Sequence, residues 1–157
     1  MTRPLTQKRL KNIALFYLEH YEATASKLKS VLLRRAQKSL LGEPVPTEVH
    51  KWVQQIVADC QNLGYVNDMR YADNLVRRLS EQGKSTRFIQ QKLGAAGIDE
   101  QLIQTVLTPC DDYESAQIFA RKKHLGSDYK KDMAKLARAG FSYEIAKKIL
   151  NKEAIDV

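Results

Sequence analysis

The sequence predicts an all-α protein of about nine helices, arranged as three tandem three-helix repeats in an elongated, right-curved or crescent-like stack. Three observations predict it. Apolar residues recur at helical spacing along nearly the whole chain. Proline and glycine are scarce, 4 and 7 in 157 residues, which favours helices over a turn-rich β architecture. One stretch is also written twice: AGIDEQLIQTVL at 96–107 returns as AGFSYEIAKKIL at 139–150, with glycines 43 positions apart.

The first unit, 8–64, is the most divergent. Its opening helix carries Ile13, Ala14, Phe16, Tyr17 and Leu18. Thr24 is the expected cap of a second helix, whose Leu28 and Leu32 correspond to Ile89 and Leu93. After Arg35 the pattern departs into a loop at 42–47, with Pro44, Pro46 and a cap at Thr47. A helix over 48–63 follows, with Val49, Trp52, Val53, Ile56, Val57, Cys60 and Leu63 on one broad face. Trp52 at that spacing reads as a core anchor, and Gly64-Tyr65 stops the helix.

The second unit, 65–109, predicts helices over 68–82, 86–95 and 99–108. The third, 110–152, predicts 111–124, 129–138 and 142–152. At the same offset, Leu93 pairs with Leu136, Ser85 with Asp128 as caps, and Gly83 with Gly126 as helix stops. Leu75-Val76 likewise pairs with Ile118-Phe119, and Arg78 with Arg121. Gly97 and Gly140 each end a helix, and Asp99 or Ser142 caps the next. The stripes Leu102, Ile103, Val106, Leu107 and Ile145, Ala146, Ile149, Leu150 then mark one helix face each. Leu107 and Leu150 are expected to be equivalent core residues.

Composition narrows the function. The net charge is +8, and residues 1–40 alone carry nine Lys/Arg against two Glu. Such an excess suits a polyanionic partner. No apolar run approaches the roughly 20 residues of a membrane span. The N-terminal stretch Met1–Arg9 lacks a signal-peptide core, so no membrane role and a cytoplasmic location are expected. Cys60 and Cys110 fit no metal-ligand spacing, and His20, His50 and His124 are scattered; no metal and no cofactor is expected. There is no phosphate loop, no dinucleotide fingerprint and no nucleophile elbow. Asp111, Asp112, Asp128 and Asp132 flank His124 in sequence but read as helix N-terminal charges. The chain is not expected to be an enzyme.

The basic residues carry more information. Arg34, Arg35 and Lys38 lie in the first unit. Arg77, Arg78, Lys84, Arg87 and Lys92 lie in the second. Arg121, Lys122 and Lys123, with Lys130, Lys131, Lys135 and Arg138, lie in the third. They recur near the first-helix end and along the second helix, which points to a charged track. The candidate binding residues are Arg34, Arg35, Arg77, Arg78, Lys84, Arg87, Lys92, Arg121 and Lys122. Tyr17, Tyr21, Tyr65 and Tyr71 are aromatic candidates for stacking on bases, or for the edge of the core.

Three segments resemble a known family. LGYVNDMRYADNLVRRL at 63–79 resembles the LGYLDDxRYA motif of the RecX regulatory proteins. GKSTRFIQQKLGAAGI at 83–98 and ARAGFSYEIAKKIL at 137–150 are similar to two further elements of that family. The resemblance covers roughly residues 8–152. It departs in the first unit, where Tyr21-Glu22-Ala23-Thr24 replaces the family's short Tyr-Ser lead-in and Lys27 stands at a common Glu. It implies three tandem three-helix repeats, and a non-enzymatic monomer that binds the groove of the RecA–single-stranded DNA filament. There such proteins suppress strand exchange, ATP hydrolysis and co-protease activity, and so modulate recombination, DNA repair and the SOS response. The alternatives are a helix-turn-helix transcriptional regulator built on 86–95 and 99–108, and a helical scaffold without a nucleic-acid role.

Helices of ten residues are marginal alone in water, so the repeats must stack to bury their apolar faces. A compact globule of this length would have a radius of gyration of roughly 15 Å. Small-angle scattering is expected to give a larger value; the compact value would contradict the stacked arrangement.

Overall fold

The computed structural model describes residues 3–155, with side chains up to residue 151; Met1 and Thr2 of the N-terminal stretch lie outside the described residues. Among the described residues there are nine α-helices and no strand. They are α1 (Gln7–His20), α2 (Ala25–Ser39), α3 (Thr47–Asn62), α4 (Asp68–Glu81), α5 (Thr86–Ala95), α6 (Glu100–Leu107), α7 (Asp112–Lys122), α8 (Tyr129–Arg138) and α9 (Tyr143–Ile155).

Local chemistry sets these boundaries. Eight of the nine helices open on a side-chain cap: Thr6, Thr24, Asn67, Ser85, Asp99, Asp111, Asp128 and Ser142 each accept a hydrogen bond from a first-turn amide. The exception corrects the cap expected at Thr47. Thr47 is the first residue of α3, and Pro46 is its cap, with no side-chain bond. The proline ring already holds the extended backbone a cap needs, at φ −61° and ψ 152°, and its carbonyl receives the amide of His50.

The chain divides into two compact units. Unit 1 runs to Tyr71 and includes Ala96–Ile98; unit 2 comprises Ala72–Ala95 and the chain from Asp99 onward. In unit 1, α1, α2 and α3 pack pairwise. Leu10, Ala14, Leu28, Leu32, Val53 and Ile56 form the centre of the core, and Trp52 packs half-buried at its edge. In unit 2, α9 packs on α7 and α8 around Ala116, Ala120, Leu136, Phe141, Ala146, Ile149 and Leu150. Helix α5 packs on α6, whose buried residues are Ile103 and Val106. Leu150 is buried as expected, but Leu107 is only half-buried. It is the last residue of α6, so the buried stripe ends one position earlier.

A single hydrogen-bonded arrangement appears once in each unit. In unit 1, the buried Thr24 hydroxyl donates to the carbonyl of Ala96 at 2.6 Å and accepts from Lys27 N at 3.1 Å. The next amide, Ala25 N, donates to Asp68 Oδ1 at 2.9 Å. In unit 2, Ser85 donates to the carbonyl of Ala139 at 2.9 Å and accepts from Phe88 N at 3.1 Å. Thr86 N then donates to Asp112 Oδ1 at 2.8 Å. Glycine is needed where each arrangement closes. Gly97 and Gly140 have positive φ, and a Cβ at either would collide with Ser26 or Ser85.

The 43-residue offset holds for the later helices but not for α4 and α7. The buried residues of α7 are Ser115, Ala116 and Ala120, whereas Ile118 and Phe119 are half-buried. The helix stops differ too. Lys84 N bonds Leu79 O after Gly83, but Leu125 N bonds Ala120 O after His124, which takes φ 53°. The stop expected at Gly126 therefore falls two residues earlier, and the turn into α8 is longer. Asp132 closes that turn. It occupies the position of Ile89 in the repeat, is only 3% exposed, and accepts from Gly126 N at 2.7 Å and Asp128 N at 3.4 Å.

Loss of these buried bonds should be costly. Ser85→Ala is expected to lower unfolding stability by about 1–3 kcal/mol, by stranding the Ala139 carbonyl and uncapping α5. Asp132→Ala should cost a similar amount, about 1–3 kcal/mol, by stranding turn amides. Urea melts with unchanged midpoints would contradict this account.

Candidate nucleic-acid interface

The nine basic residues singled out in the sequence lie on four helices and one turn. Arg34 and Arg35 are exposed on α2, in unit 1. The other seven lie in unit 2. Arg77 and Arg78 are exposed on α4, where Arg77 Nη2 donates to Asn74 Oδ1 at 3.1 Å. Arg87 is exposed on α5. Arg121 and Lys122 are exposed in the last turn of α7, and Lys122 Nζ donates to the Gln82 carbonyl at 3.2 Å. Lys84, in the turn before α5, and Lys92, near the end of α5, converge on one ring. Their ammonium groups stand 5.0 and 5.4 Å from the centroid of Phe88. Such exposed cation–π contacts are worth about 0.5–1 kcal/mol each.

Among the described residues the one ion pair is Lys131–Asp128, at 4.0 Å. None of the nine candidates has a carboxylate partner within that distance. A surface with this many unpaired cations repels itself unless a polyanion is present.

Lys84 and Phe88 also line a cavity of about 620 Å³ in unit 2, together with Phe119, Lys123, Lys135 and Arg138. Sequence reading placed all four cations on the track but missed both rings as surface features. The signal was present: Lys84, Phe88 and Lys92 are spaced i, i+4, i+8, which puts them on one face. Phe119, aligned with Val76 in the sequence, is half-buried and packs against Phe141 at 5.8 Å. Of the tyrosine candidates, Tyr21 and Tyr65 are exposed, whereas Tyr17 and Tyr71 are half-buried. Tyr17 stacks on Tyr21 at 5.0 Å.

Among the described residues no group of three His, Cys, Asp or Glu is placed to hold a metal. Burial pushes both thiols above the ordinary cysteine range. Asp59 adds to the rise at Cys60, and a hydrogen bond with Ser80 offsets part of it at Cys110. Neither is an activated nucleophile. No helix among the described residues is long and apolar enough to cross a membrane.

The family model for the second three-helix domain of RecX matches residues 67–107, which span α4 to α6. The chain is 37% identical to the regulatory protein RecX of Myxococcus xanthus (strain DK1622), over 95% of this chain and 88% of that one. The chain belongs to the RecX family of regulatory proteins. The RecX of Agrobacterium fabrum (strain C58 / ATCC 33970) is 30% identical over 94% of this chain and 86% of its own. The crystal structure of RecX from Lactobacillus salivarius superposes with a TM-score of 0.74, covering 95% of this chain and 97% of that chain. At 22% identity this match carries the all-α RecX fold and no more.

Proposed function

We propose that this RecX-family chain is a negative modulator of RecA. It binds in the groove of the RecA–single-stranded DNA filament and suppresses strand exchange, ATP hydrolysis and co-protease activity. It acts by binding rather than by catalysis, as a monomer in the cytoplasm, with no cofactor. Three helical units at 8–64, 65–109 and 110–152 each present cations to the filament. The observation that carries this reading is the set of exposed Lys and Arg residues without carboxylate partners on a RecX fold. The second helical unit, 65–109, is central, because it holds Arg77, Arg78, Lys84, Arg87 and Lys92 and nearly coincides with the segment 67–107 matched by the family model.

The surface of α6 counts against a helix-turn-helix reader of duplex sequence. α6 would be its recognition helix, yet it begins at Glu100 behind the Asp99 cap, and Glu100 Oε1 accepts from Gln104 Nε2 at 2.8 Å. A carboxylate and an occupied amide are poor readers of base edges beside phosphates.

The test is filament binding by Arg77→Ala/Arg78→Ala across a salt series, with helicity checked by circular dichroism. Each lost phosphate contact should lower the slope of log K against log salt by about 0.7. A folded double variant that binds like the parent at every salt concentration removes these two arginines from the site.

A further inference from the structure

The cavity of unit 2 has a composition that a charged track alone does not explain. Its cations are Lys84, Lys123, Lys135 and Arg138, no carboxylate among the described residues lines it, and two phenyl rings, Phe88 and Phe119, share its lining. We infer that this cavity takes a nucleotide of single-stranded DNA, with the base on the phenyl rings and the flanking phosphates on Lys123, Lys135 and Arg138. The inference rests on the reading above, in which single-stranded DNA in the filament is the partner, and adds where this chain would touch it.

Size and arrangement support the assignment. At about 620 Å³ the cavity is within the range of small-ligand pockets. Both rings are half-buried, and Phe119 is braced by Phe141. Stacking on them therefore needs little ordering of the protein. Lys135 and Arg138 lie three residues apart on α8, on one face, and Lys123 follows the end of α7. All three are exposed, so a phosphate chain can reach them without burying charge.

The ligand must be anionic and must also present a flat apolar face. An acidic peptide meets the first requirement and leaves the rings idle. Duplex DNA keeps its bases stacked inside, out of reach of the rings. A single strand meets both. Lys84 and Lys92 now sit against the Phe88 ring. An arriving phosphate draws an ammonium off the ring, and a base takes its place. Stacking of a base is worth more than an exposed cation–π contact, so the exchange favours the bound state. Every base has a π-face, so little sequence preference is expected.

The experiment is fluorescence anisotropy of labelled (dT)18 with the full chain, without RecA, over a salt series, beside filament binding by the same preparations. Phe88→Leu keeps apolar bulk and removes the ring. It should weaken (dT)18 binding by about 5- to 30-fold and leave the salt slope unchanged. Lys135→Ala/Arg138→Ala, at exposed positions, should weaken binding and lower the slope by about 1.4. Parental (dT)18 affinity in both folded variants, with filament binding by the parent intact, would overturn the nucleotide site and leave the filament reading standing. Tighter binding of the parent to poly-glutamate than to (dT)18 would also overturn it, in favour of an acidic protein segment. Failure of the parent to bind (dT)18 while it binds the filament would overturn the nucleotide site alone, and failure to bind either would sink both readings.

Discussion

A buried hydroxyl that bonds in two directions is the interaction on which the architecture turns. Thr24 in unit 1 and Ser85 in unit 2 each cap their own helix and also hold a carbonyl distant in sequence, that of Ala96 or Ala139. Each is almost wholly buried, at 1% and 0% exposure, so neither bond competes with water. An aspartate at the start of a neighbouring helix, Asp68 or Asp112, takes the following amide. Short helices that are marginal alone are thereby locked end to side by polar groups that must all be satisfied together. The close approach also requires glycine, since a Cβ at Gly140 would strike Ser85 itself and one at Gly97 would strike Ser26, two residues beyond Thr24.

This division of labour leaves the basic residues free. Stability comes from apolar stripes and buried caps, and surface ion pairs contribute little to most proteins in any case. Here the described residues contain a single such pair. The cations are consequently available to a polyanion. That availability, on a RecX fold, is the feature on which the proposed function rests.

Much of the fold was legible in the sequence, because caps and helical stripes are local signals. Thr24, Ser85, Asp99, Asp128 and Ser142 all cap as expected, and every expected helix exists. What was hidden depended on tertiary context. Asp132 reads as a helix-end charge, yet it is buried, because only the fold shows that the preceding turn is two residues longer than its counterpart. The offset between α4 and α7 was misread because both helices are rich enough in apolar residues to fit two alignments. The candidate interface was legible as charge but not as shape. Phe88 carried no signal of its own in the sequence; its place between Lys84 and Lys92 at a cavity wall is seen only in the fold.

The account holds that an all-helical RecX protein uses unpaired cations to recognise DNA already coated by a recombinase. The most direct measurement is the affinity of one labelled preparation, at one salt concentration, for the RecA–single-stranded DNA filament, bare single-stranded DNA and duplex DNA. The account predicts tightest binding to the filament, weakening as salt rises, with suppressed strand exchange at the same protein concentrations. Preference for a particular duplex sequence, or no binding to any of the three, would contradict it.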